Sequence, residues 1–518
     1  MARGKGWHEE PHYAEGEGIC RIRPRNDPEF PNGAWWDLYN CVYDKESDNP
    51  ECLRGGTRIG STDMGGTVSG LFDFDNGSKA IATCTDGKIY EYTASDWTAD
   101  ATGARGSGND TAATTRWSGC MYYGATSVKN LLILCDGIDA PAKWEATGHT
   151  TNLGGGAPAT GNFPAPWQGR LWMATGTTLY CSDTNDAEDF TGGENIAIYR
   201  GYDGNITGLK PFSQNLFIFK RSSIYRIGPT ETFNQSTVKN VSTTLGCVNH
   251  NTLQEAQNGN YLVFMSERGP AALMPSNNYA GFRVEQIGQW VKPITKYANK
   301  DAGNVAWGLW NGDRQEYYLH YAVGSATSAD QGVIANFARN RKPPRWTRFN
   351  ILNFSAGMMF NEGNTDYLQW IGDDNGRVYQ MHVQSEITVD NTPILGRMAS
   401  KYYVNGAPNH MKNYGWAFVD GAADGAYSVS VYLQMLRTGM QSAPPNTEEE
   451  AFSTADSTWG VGKWGEALWG GSGTVGRRIR PSKVARATGM GIITESTRWY
   501  LINGNIIASD IRGTNIAA

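Results

Sequence analysis

The segment NLFIFKRSSIYRIG, residues 215–228, contains two apolar runs separated by a short polar stretch. Apolar and aromatic side chains suit a pleated, buried strand, and a short polar segment between two such runs suits a turn. The segment therefore predicts a β-hairpin. Whether it stands alone decides the fold, because one hairpin cannot form a stable domain by itself.

Similar hairpins recur along the chain, at KAIATCTDGKIYEY (79–92), GRLWMATGTTLYCS (169–182) and DYLQWIGDDNGRVYQM (366–381). Two of their turns contain Asp-Gly or Asn-Gly, dipeptides that favour tight hairpin turns. In all four hairpins the second strand carries an aliphatic residue followed by tyrosine. These pairs are Ile89-Tyr90, Leu179-Tyr180, Ile224-Tyr225 and Val378-Tyr379.

With three weaker copies, the hairpins begin at intervals of 40 to 55 residues, near Ile81, Leu131, Leu171, Leu216, Leu262, Tyr317 and Leu368. A recurrence on this scale is the sequence sign of a β-propeller, in which small sheets arranged in a ring bury each other's faces. We predict an all-β protein with a propeller of six or seven blades over residues 66–395, with residues 215–228 as the inner hairpin of one blade. A large antiparallel sandwich is the alternative.

The composition agrees with an all-β fold, since 63 of the 518 residues are Gly and 12% are aromatic. The net charge is -6, which argues against a dedicated DNA-binding protein. We expect neither a signal peptide nor a membrane-spanning segment. The eight cysteines contain no C-x-x-C pair, and we expect buried, reduced thiols: Cys20, Cys41, Cys52, Cys84, Cys120, Cys135, Cys181 and Cys247.

The segments outside the repeat differ from it in character. Residues 1–65 are rich in Pro and Gly, and residues 396–518 contain strand-like runs such as YSVSVYLQML (427–436). We predict that 1–65 and 396–518 form a second β domain together, which would put both termini at one end.

No catalytic or metal-binding pattern is present, and we expect a protein that is not an enzyme and needs no cofactor or metal. The seven histidines are dispersed, and neither a G-x-S-x-G nor a P-loop motif occurs. DFDNG (73–77) and GDDNG (372–376) resemble fragments of calcium loops, but they lack the downstream glutamate and lie where hairpins must turn.

Two basic clusters and one tryptophan-rich segment are the candidate contact sites. Basic clusters bind phosphates or acidic partners, or else form a solvated edge or an intersubunit rim. The first cluster is a candidate loop for partner contact and comprises Arg339, Arg341, Lys342, Arg345 and Arg348, with Trp346. The second comprises Arg477, Arg478, Arg480, Lys483 and Arg486. Trp459, Trp464 and Trp469 are spaced by five, which is neither helical nor strand spacing and predicts an aromatic loop packed on a neighbour.

The order of these segments resembles that in the propeller proteins of short-tailed bacteriophage tails, the tail nozzle and packaged-DNA-stabilisation proteins. The similar features cover most of the chain and are structural. They are GYDGNIT (201–207), LFIFKRSSIYRI (216–227), LGCVN (245–249), SERG (266–269), LYNCVYD with LRGGTRIG (38–60), and the WG…KWG…LWG segment (459–470).

The resemblance implies a virion protein of the tail, assembled in the bacterial cytoplasm. Six copies would form a nozzle ring that continues the DNA channel below the portal and its adaptor, retains packaged DNA and carries fibres or spikes outside. DNA would pass without sequence-specific binding. The tryptophan loop and the second basic cluster would contact a neighbouring subunit or the adaptor. A glycan-binding or glycan-hydrolysing propeller and a head-completion or tail-tip protein are the alternatives.

Overall fold

The computed structural model divides into two compact units, each described by itself below. The propeller unit comprises Thr57–Val333 and Leu352–Met381, and the terminal unit comprises Met1–Gly56, Ile334–Ile351 and His382–Ala518. The described residues are 8–13, 16–43 without 26, 28 and 32, 49–99 without 76, 78 and 94, 117–124, 130–198, 203–229, 233–234, 237–276, 281–299, 305–338, 343–362, 366–403 without 384, 385 and 387, 412–423, 428–436, 449–453, 475–479, 483–485, 487–495 and 499–509.

The propeller unit contains seven consecutive antiparallel sheets, numbered here as blades 1 to 7. Blade 1 comprises Val68–Phe74, Lys79–Cys84, Ile89–Thr93 and Asp96–Ala99. Blade 2 comprises Ser118–Tyr122, Leu131–Cys135, Ala142–Trp144 and Thr151–Asn152. Blade 3 comprises Asn162–Trp167, Arg170–Thr175, Thr178–Cys181 and Asn195–Ala197. Blade 4 comprises Ile206–Phe212, Asn215–Lys220, Ile224–Ile227 and Lys239–Ser242.

The remaining blades complete the ring. Blade 5 comprises Gln254–Ala256, Tyr261–Ser266, Gly269–Pro275 and Phe282–Gln286. Blade 6 contains Trp307–Asn311, Glu316–Tyr321 and Gln331–Asn336. Blade 7 comprises Phe354–Glu362, Asp366–Asp373, Val378–Met381 and, as its outer strand, Gly56–Ile59. The described helices are the four-residue α-helix Lys292–Thr295 and the 3₁₀ turn His250–Thr252.

The first strand of each blade faces the centre of the ring. The inner strand of blade 7 packs on that of blade 1, and the Ser355 hydroxyl donates to the Val68 carbonyl at 2.6 Å across this junction. The ring is therefore closed, with seven blades. The outer strand Gly56–Ile59 precedes blade 1 in sequence and completes blade 7, so the closure joins the two ends of the unit.

The predicted hairpins are present, but their position in the blades was predicted wrongly. Residues 215–228 form the second and third strands of blade 4, behind the inner strand Ile206–Phe212. The aliphatic-Tyr pairs likewise lie in third strands, as in Ile89–Thr93. The second strands of blades 4 and 5, Asn215–Lys220 and Tyr261–Ser266, contain uninterrupted apolar runs because they are buried on both faces.

The terminal unit is built mostly from strands far apart in sequence. In one sheet the order is Cys41–Tyr43, Pro50–Cys52, Trp499–Ser509, Lys412–Ala423 and Val475–Ile479, with His8–Tyr13 also paired to Trp499–Ser509 and Lys483–Ala485 to Lys412–Ala423. In the second the order is Arg345–Phe349, Asp37–Tyr39, Leu395–Ala399, Ala487–Glu495, Ser428–Leu436 and Glu449–Ser453. A short hairpin, Thr388–Val389 with Thr392–Pro393, completes the described strands.

The unit boundaries differ from the predicted ones. The chain passes between units after residues 56, 333, 351 and 381, whereas we placed two boundaries, after 65 and 395. Residues 334–351, which we had placed in the propeller, belong to the terminal unit. The strand Arg345–Phe349 pairs in parallel with Asp37–Tyr39, a long-range contact that no local sequence pattern reveals.

All eight cysteines are free thiols, and seven of them are buried. The Cys135 sulfur, for example, lies 3.8 Å from the Met173 sulfur. Burial raises the pKa of Cys120 and of Cys247 to about 12, so these thiols stay protonated and unreactive at neutral pH.

Candidate functional site

The predicted tryptophan loop lies outside the described residues, as do Arg480 and Arg486. Trp459, Trp464 and Trp469 are the three members of that loop. Arg477 and Arg478 lie in the strand Val475–Ile479, and Lys483 begins the strand Lys483–Ala485. Both strands pair with Lys412–Ala423, so Arg477, Arg478 and Lys483 lie in one sheet of the terminal unit.

The first basic cluster is only partly described. Arg339, Arg341 and Lys342 lie outside the described residues. Arg345 and Trp346 are each 1% exposed, and the Arg345 guanidinium lies 4.5 Å from the centre of the Tyr43 ring. These two side chains are core residues of the terminal unit, which corrects their assignment to a partner-contact loop.

Arg348 is part of an ion-pair cluster within the same unit. The Asp37 carboxylate lies 3.2 Å from the guanidinium groups of both Arg348 and Arg21. The two guanidiniums also lie over aromatic rings, Arg21 at 4.3 Å from Trp36 and Arg348 at 5.3 Å from Tyr39. A charge run that reads as surface in the sequence is thus partly internal, because stacking and ion pairing compensate for desolvation.

The centre of the propeller contains the candidate site, which lies apart from the site residues predicted from the sequence. Glycines lie at equivalent places in the inner strands and leave room for aromatic side chains of the neighbouring blade. A Cβ atom at Gly119 would lie 2.7 Å from the Phe72 ring, and one at Gly357 would lie 2.9 Å from the Trp307 ring. The aromatic rings therefore occupy the space that a side chain at these positions would need.

The 3₁₀ turn His250–Thr252 closes this channel as a plug between blades 4 and 5. Asn251 Nδ2 donates to the Trp117 carbonyl at 3.0 Å, and Asn249 Nδ2 donates to the Ala306 carbonyl at 2.7 Å. These bonds tie the plug to the start of blade 2 and to the start of blade 6. The LGCVN motif of the sequence (245–249) leads directly into the plug.

A cavity of about 170 Å³ lies beside the plug. It is lined by inner-strand residues of blades 1, 2, 4, 5, 6 and 7 and by residues of the plug, including Phe72, Gly119, Lys210, His250 and Gln254. The lining combines glycine backbone with one cationic side chain and several side chains that can hydrogen-bond.

Electrostatics in the cavity centre on Lys210 and His250. Burial lowers the pKa of the Lys210 ammonium, partly opposed by the Glu255 carboxylate. Burial, together with the positive charge of Lys210, lowers the pKa of His250 to about 3, so the imidazole is neutral at physiological pH. The Leu209 backbone N–H donates to His250 Nδ1 at 3.4 Å, which leaves the ring hydrogen on Nε2.

A sequence signal for this site exists. Each of five inner strands contains a glycine preceded by a small, hydroxyl-bearing or aromatic residue. The pairs are Ser69-Gly70, Ser118-Gly119, Thr207-Gly208, Trp307-Gly308 and Ala356-Gly357. The register of the inner strand shifts next to several of these pairs, at Val68/Gly70 and Ile206/Gly208 for example, which indicates a repeated β-bulge.

A second cavity, of about 290 Å³, lies between blades 1 and 2 and is lined by Ile81, Glu91, Trp144 and His149 among others. Its carboxylate is already compensated, since Lys79 Nζ contacts Glu91 Oε1 at 2.5 Å. Within the described part of the chain, no group of three or more His, Cys, Asp or Glu side chains is placed to hold a metal ion. No helix among the described residues is long and apolar enough to span a membrane.

Strand order and ring closure define the class of this protein as an all-β protein with a seven-bladed propeller. No family model matches the sequence, and no curated protein matches it. Similar solved structures include the WD40 repeats of RRP9, at 10% identity over 63% of this chain and 99% of that one, with a TM-score of 0.40. Another is the β-propeller domain of Myceliophteria thermophila Cps50 (Swd1), at 10% identity over 65% of this chain and 100% of that one, with a TM-score of 0.41.

A third similar structure is the extracellular domain of BT4673 from B. thetaiotaomicron, at 9% identity and a TM-score of 0.41. The match covers 78% of this chain and 48% of that chain, so the present chain spans about half of the length of that extracellular domain. The assignment of a propeller here rests on the pairing of the strands and not on these similarities.

Proposed function

We propose that the protein is a structural component of a short-tailed bacteriophage tail, a subunit of the nozzle ring. The observation that carries the proposal is the architecture: a propeller is inserted into a β unit assembled from both ends of the chain. The segments that resemble nozzle proteins fall on both parts. LFIFKRSSIYRI lies in the middle of blade 4, and LYNCVY spans the strands Asp37–Tyr39 and Cys41–Tyr43.

The plug in the propeller limits where DNA could pass through the proposed ring of subunits. A cavity of about 170 Å³ cannot admit a duplex whose major groove alone is about 12 Å wide. In our proposal the DNA channel is therefore formed between copies of the chain and not along the propeller axis. Closed cyclic symmetry then requires two different surfaces on each subunit that meet head to tail.

The proposed partners are further copies of this chain, a portal adaptor, and fibres or spikes on the outside, in a non-enzymatic role. A net charge of -6 supports a channel that lets DNA pass, because strong phosphate binding would retard ejection. The aromatic loop with Trp464 and Trp469 is our candidate subunit contact, since tryptophan dominates the energetics of many interfaces.

The test is a mass measurement on the purified full chain, by light scattering or native mass spectrometry. We expect one discrete multiple of 56.7 kDa, with six copies. The double variant Trp464→Ala/Trp469→Ala should remain folded by circular dichroism but stay monomeric. Trp310→Ala, a partly exposed tryptophan of blade 6, is the matched control and should still form rings.

Two results would overturn the proposal. One is a wild-type chain that stays monomeric at all concentrations, with and without adaptor, and is absent from purified virions. The other is hydrolysis of a host polysaccharide that a single carboxylate substitution abolishes, which would favour the glycosidase alternative. If the double tryptophan variant still forms rings, the proposed nozzle role stands, but this loop is not the subunit contact.

A further inference from the structure

The cavity beside the propeller plug has one cationic side chain in its lining, Lys210. Lys210 is half-buried, and desolvation lowers the pKa of its ammonium. The Glu255 carboxylate attracts the ammonium through space. A cation in the wall of a confined cavity favours an anionic group on a ligand, because charge interactions are stronger where water is partly excluded.

The groups around Lys210 provide a defined hydrogen-bonding pattern. His250 is neutral and carries its hydrogen on Nε2, so it adds a second donor. Asn251 and Gln254 use their amide nitrogens to donate to the carbonyls of Trp117 and Gly308, at 3.0 and 2.9 Å. A carbonyl only accepts, so these bonds fix the amide orientation and leave both side-chain oxygens as acceptors.

The volume of the cavity limits the ligand. A cavity of about 150 Å³ is known to hold a benzene molecule. The present cavity, at about 170 Å³, thus has room for roughly one six-membered ring. Two donors, one of them charged, match an oxyanion, and two acceptors match hydroxyl groups on the same molecule.

We propose that this cavity binds a small hydroxylated oxyanion the size of one sugar ring. Its carboxylate or phosphate group contacts Lys210 and His250, and its hydroxyls donate to Asn251 and Gln254. Glycines of the inner strands line the cavity, and a larger residue at Gly119 or Gly357 would collide with the aromatic ring of the neighbouring blade. The inference is independent of the proposed role in a phage tail.

The experiment is calorimetric titration of the full chain with four probes: glucuronate, glucose 6-phosphate, glucose and inorganic phosphate. We expect at least one of the two sugar anions to bind, and glucose to bind at least about tenfold more weakly than that anion, since charge-assisted hydrogen bonds carry the affinity. Binding of glucuronate alone identifies a carboxylate ligand, and binding of glucose 6-phosphate alone identifies a phosphate ligand. If inorganic phosphate binds as tightly as the sugar anions, the proposal that the ligand carries a hydroxylated ring is wrong.

Lys210→Met should weaken sugar-anion binding by at least about tenfold. The matched control is Lys239→Met, an exposed lysine on the outer strand of the same blade, which should bind like the wild type. Equal binding by Lys210→Met and the wild type, or no binding of either sugar anion at millimolar concentration, would overturn the proposal.

A measurement on the wild-type protein covers the case in which Lys210→Met does not fold. Crystals soaked in selenate should show an anomalous peak within hydrogen-bonding distance of Lys210 Nζ. No peak there, or a peak only at other lysines, contradicts the site.

Discussion

The propeller unit and the terminal unit obtain their stability in different ways. In the propeller, consecutive strands pair with one another, and each blade adds apolar residues to clusters shared with the next, such as Leu216, Ile218 and Trp172. In the terminal unit, strands from the two ends of the chain pair, and arginines stacked on aromatic rings lie among them. The propeller repeats the same local strand pairing in each blade, whereas the terminal unit depends on a few long-range polar contacts.

This difference predicts where a single substitution should lower the free energy of unfolding most. A repeated apolar core distributes its free energy over many similar contacts, each contributing a modest amount. A carboxylate shared by two partly buried arginines concentrates the stabilising free energy in one group, because its removal leaves two charges without that partner. The following experiments test this contrast directly.

The largest effect is expected for Asp37→Asn in the terminal unit. The variant leaves Arg21 and Arg348 without their shared carboxylate, and we expect a loss of about 2–4 kcal/mol in the free energy of unfolding. The matched control is Asp63→Asn in the propeller unit, a carboxylate that also contacts two arginines but is 52% exposed. Exposed pairs contribute little, so that change should stay below about 1 kcal/mol. Equal losses in chemical denaturation would remove the contrast.

A smaller effect is expected for Gly308→Ala in the inner strand of blade 6. The new Cβ would lie 2.6 Å from Tyr317 Oη, a buried hydroxyl that donates to the Thr252 carbonyl at 2.7 Å. Overpacking of this kind costs about 1–3 kcal/mol, and the reduced freedom of the unfolded chain offsets part of it.

The control for Gly308→Ala is Gly154→Ala, where no atom lies within 4 Å of the new Cβ. That variant should unfold like the wild type or be slightly more stable. If Gly308→Ala unfolds at the same midpoint temperature as the wild type, the inner strands can shift to accommodate the new methyl group, and the prediction is wrong.

The smallest effect concerns acid stability. The folded propeller holds His250 neutral down to about pH 3, whereas the unfolded chain protonates it below about pH 6.5. The free energy of unfolding therefore decreases as pH falls below 6.5. The decrease between pH 7 and 5 is less than about 2 kcal/mol, because one edge of the imidazole ring faces the cavity. His250→Gln should flatten this pH dependence in denaturation series, and His149→Asn controls for loss of a histidine elsewhere. An unchanged slope in His250→Gln would contradict the assignment.

The two units also differ in how far sequence alone could predict them. The second strands of all seven blades were identified, and those of blades 4 and 5 are the clearest because burial on both faces makes them continuous apolar runs, such as LFIF in blade 4. The inner strands were not identified because one side faces the channel and carries Gly or Lys in place of an apolar pattern. The candidate site lies on those strands and on the plug, and residues that it joins, such as Trp117 and Asn251, are more than 100 positions apart in sequence.

The terminal unit was predictable only in outline. Composition shifts at both ends of the repeat indicated that the terminal segments belong together, but pairing between Asp37–Tyr39 and Leu395–Ala399 leaves no local trace. Arg345 was predicted as a contact residue because a charge run usually marks surface. Its burial depends on the Tyr43 ring, which is some 300 positions away in sequence.

The outer strand of blade 7 has a consequence for how the chain reaches its native state. Pairing of His8–Tyr13 with Trp499–Ser509 would, in an unstructured chain, require closure of a loop of nearly the whole polypeptide, and such contacts form slowly. Once Gly56–Ile59 has joined Val378–Met381, that loop is reduced to the segments before residue 56 and after residue 381. The closed propeller thus acts as an intramolecular splint, which shortens the effective chain length between His8–Tyr13 and its partner Trp499–Ser509.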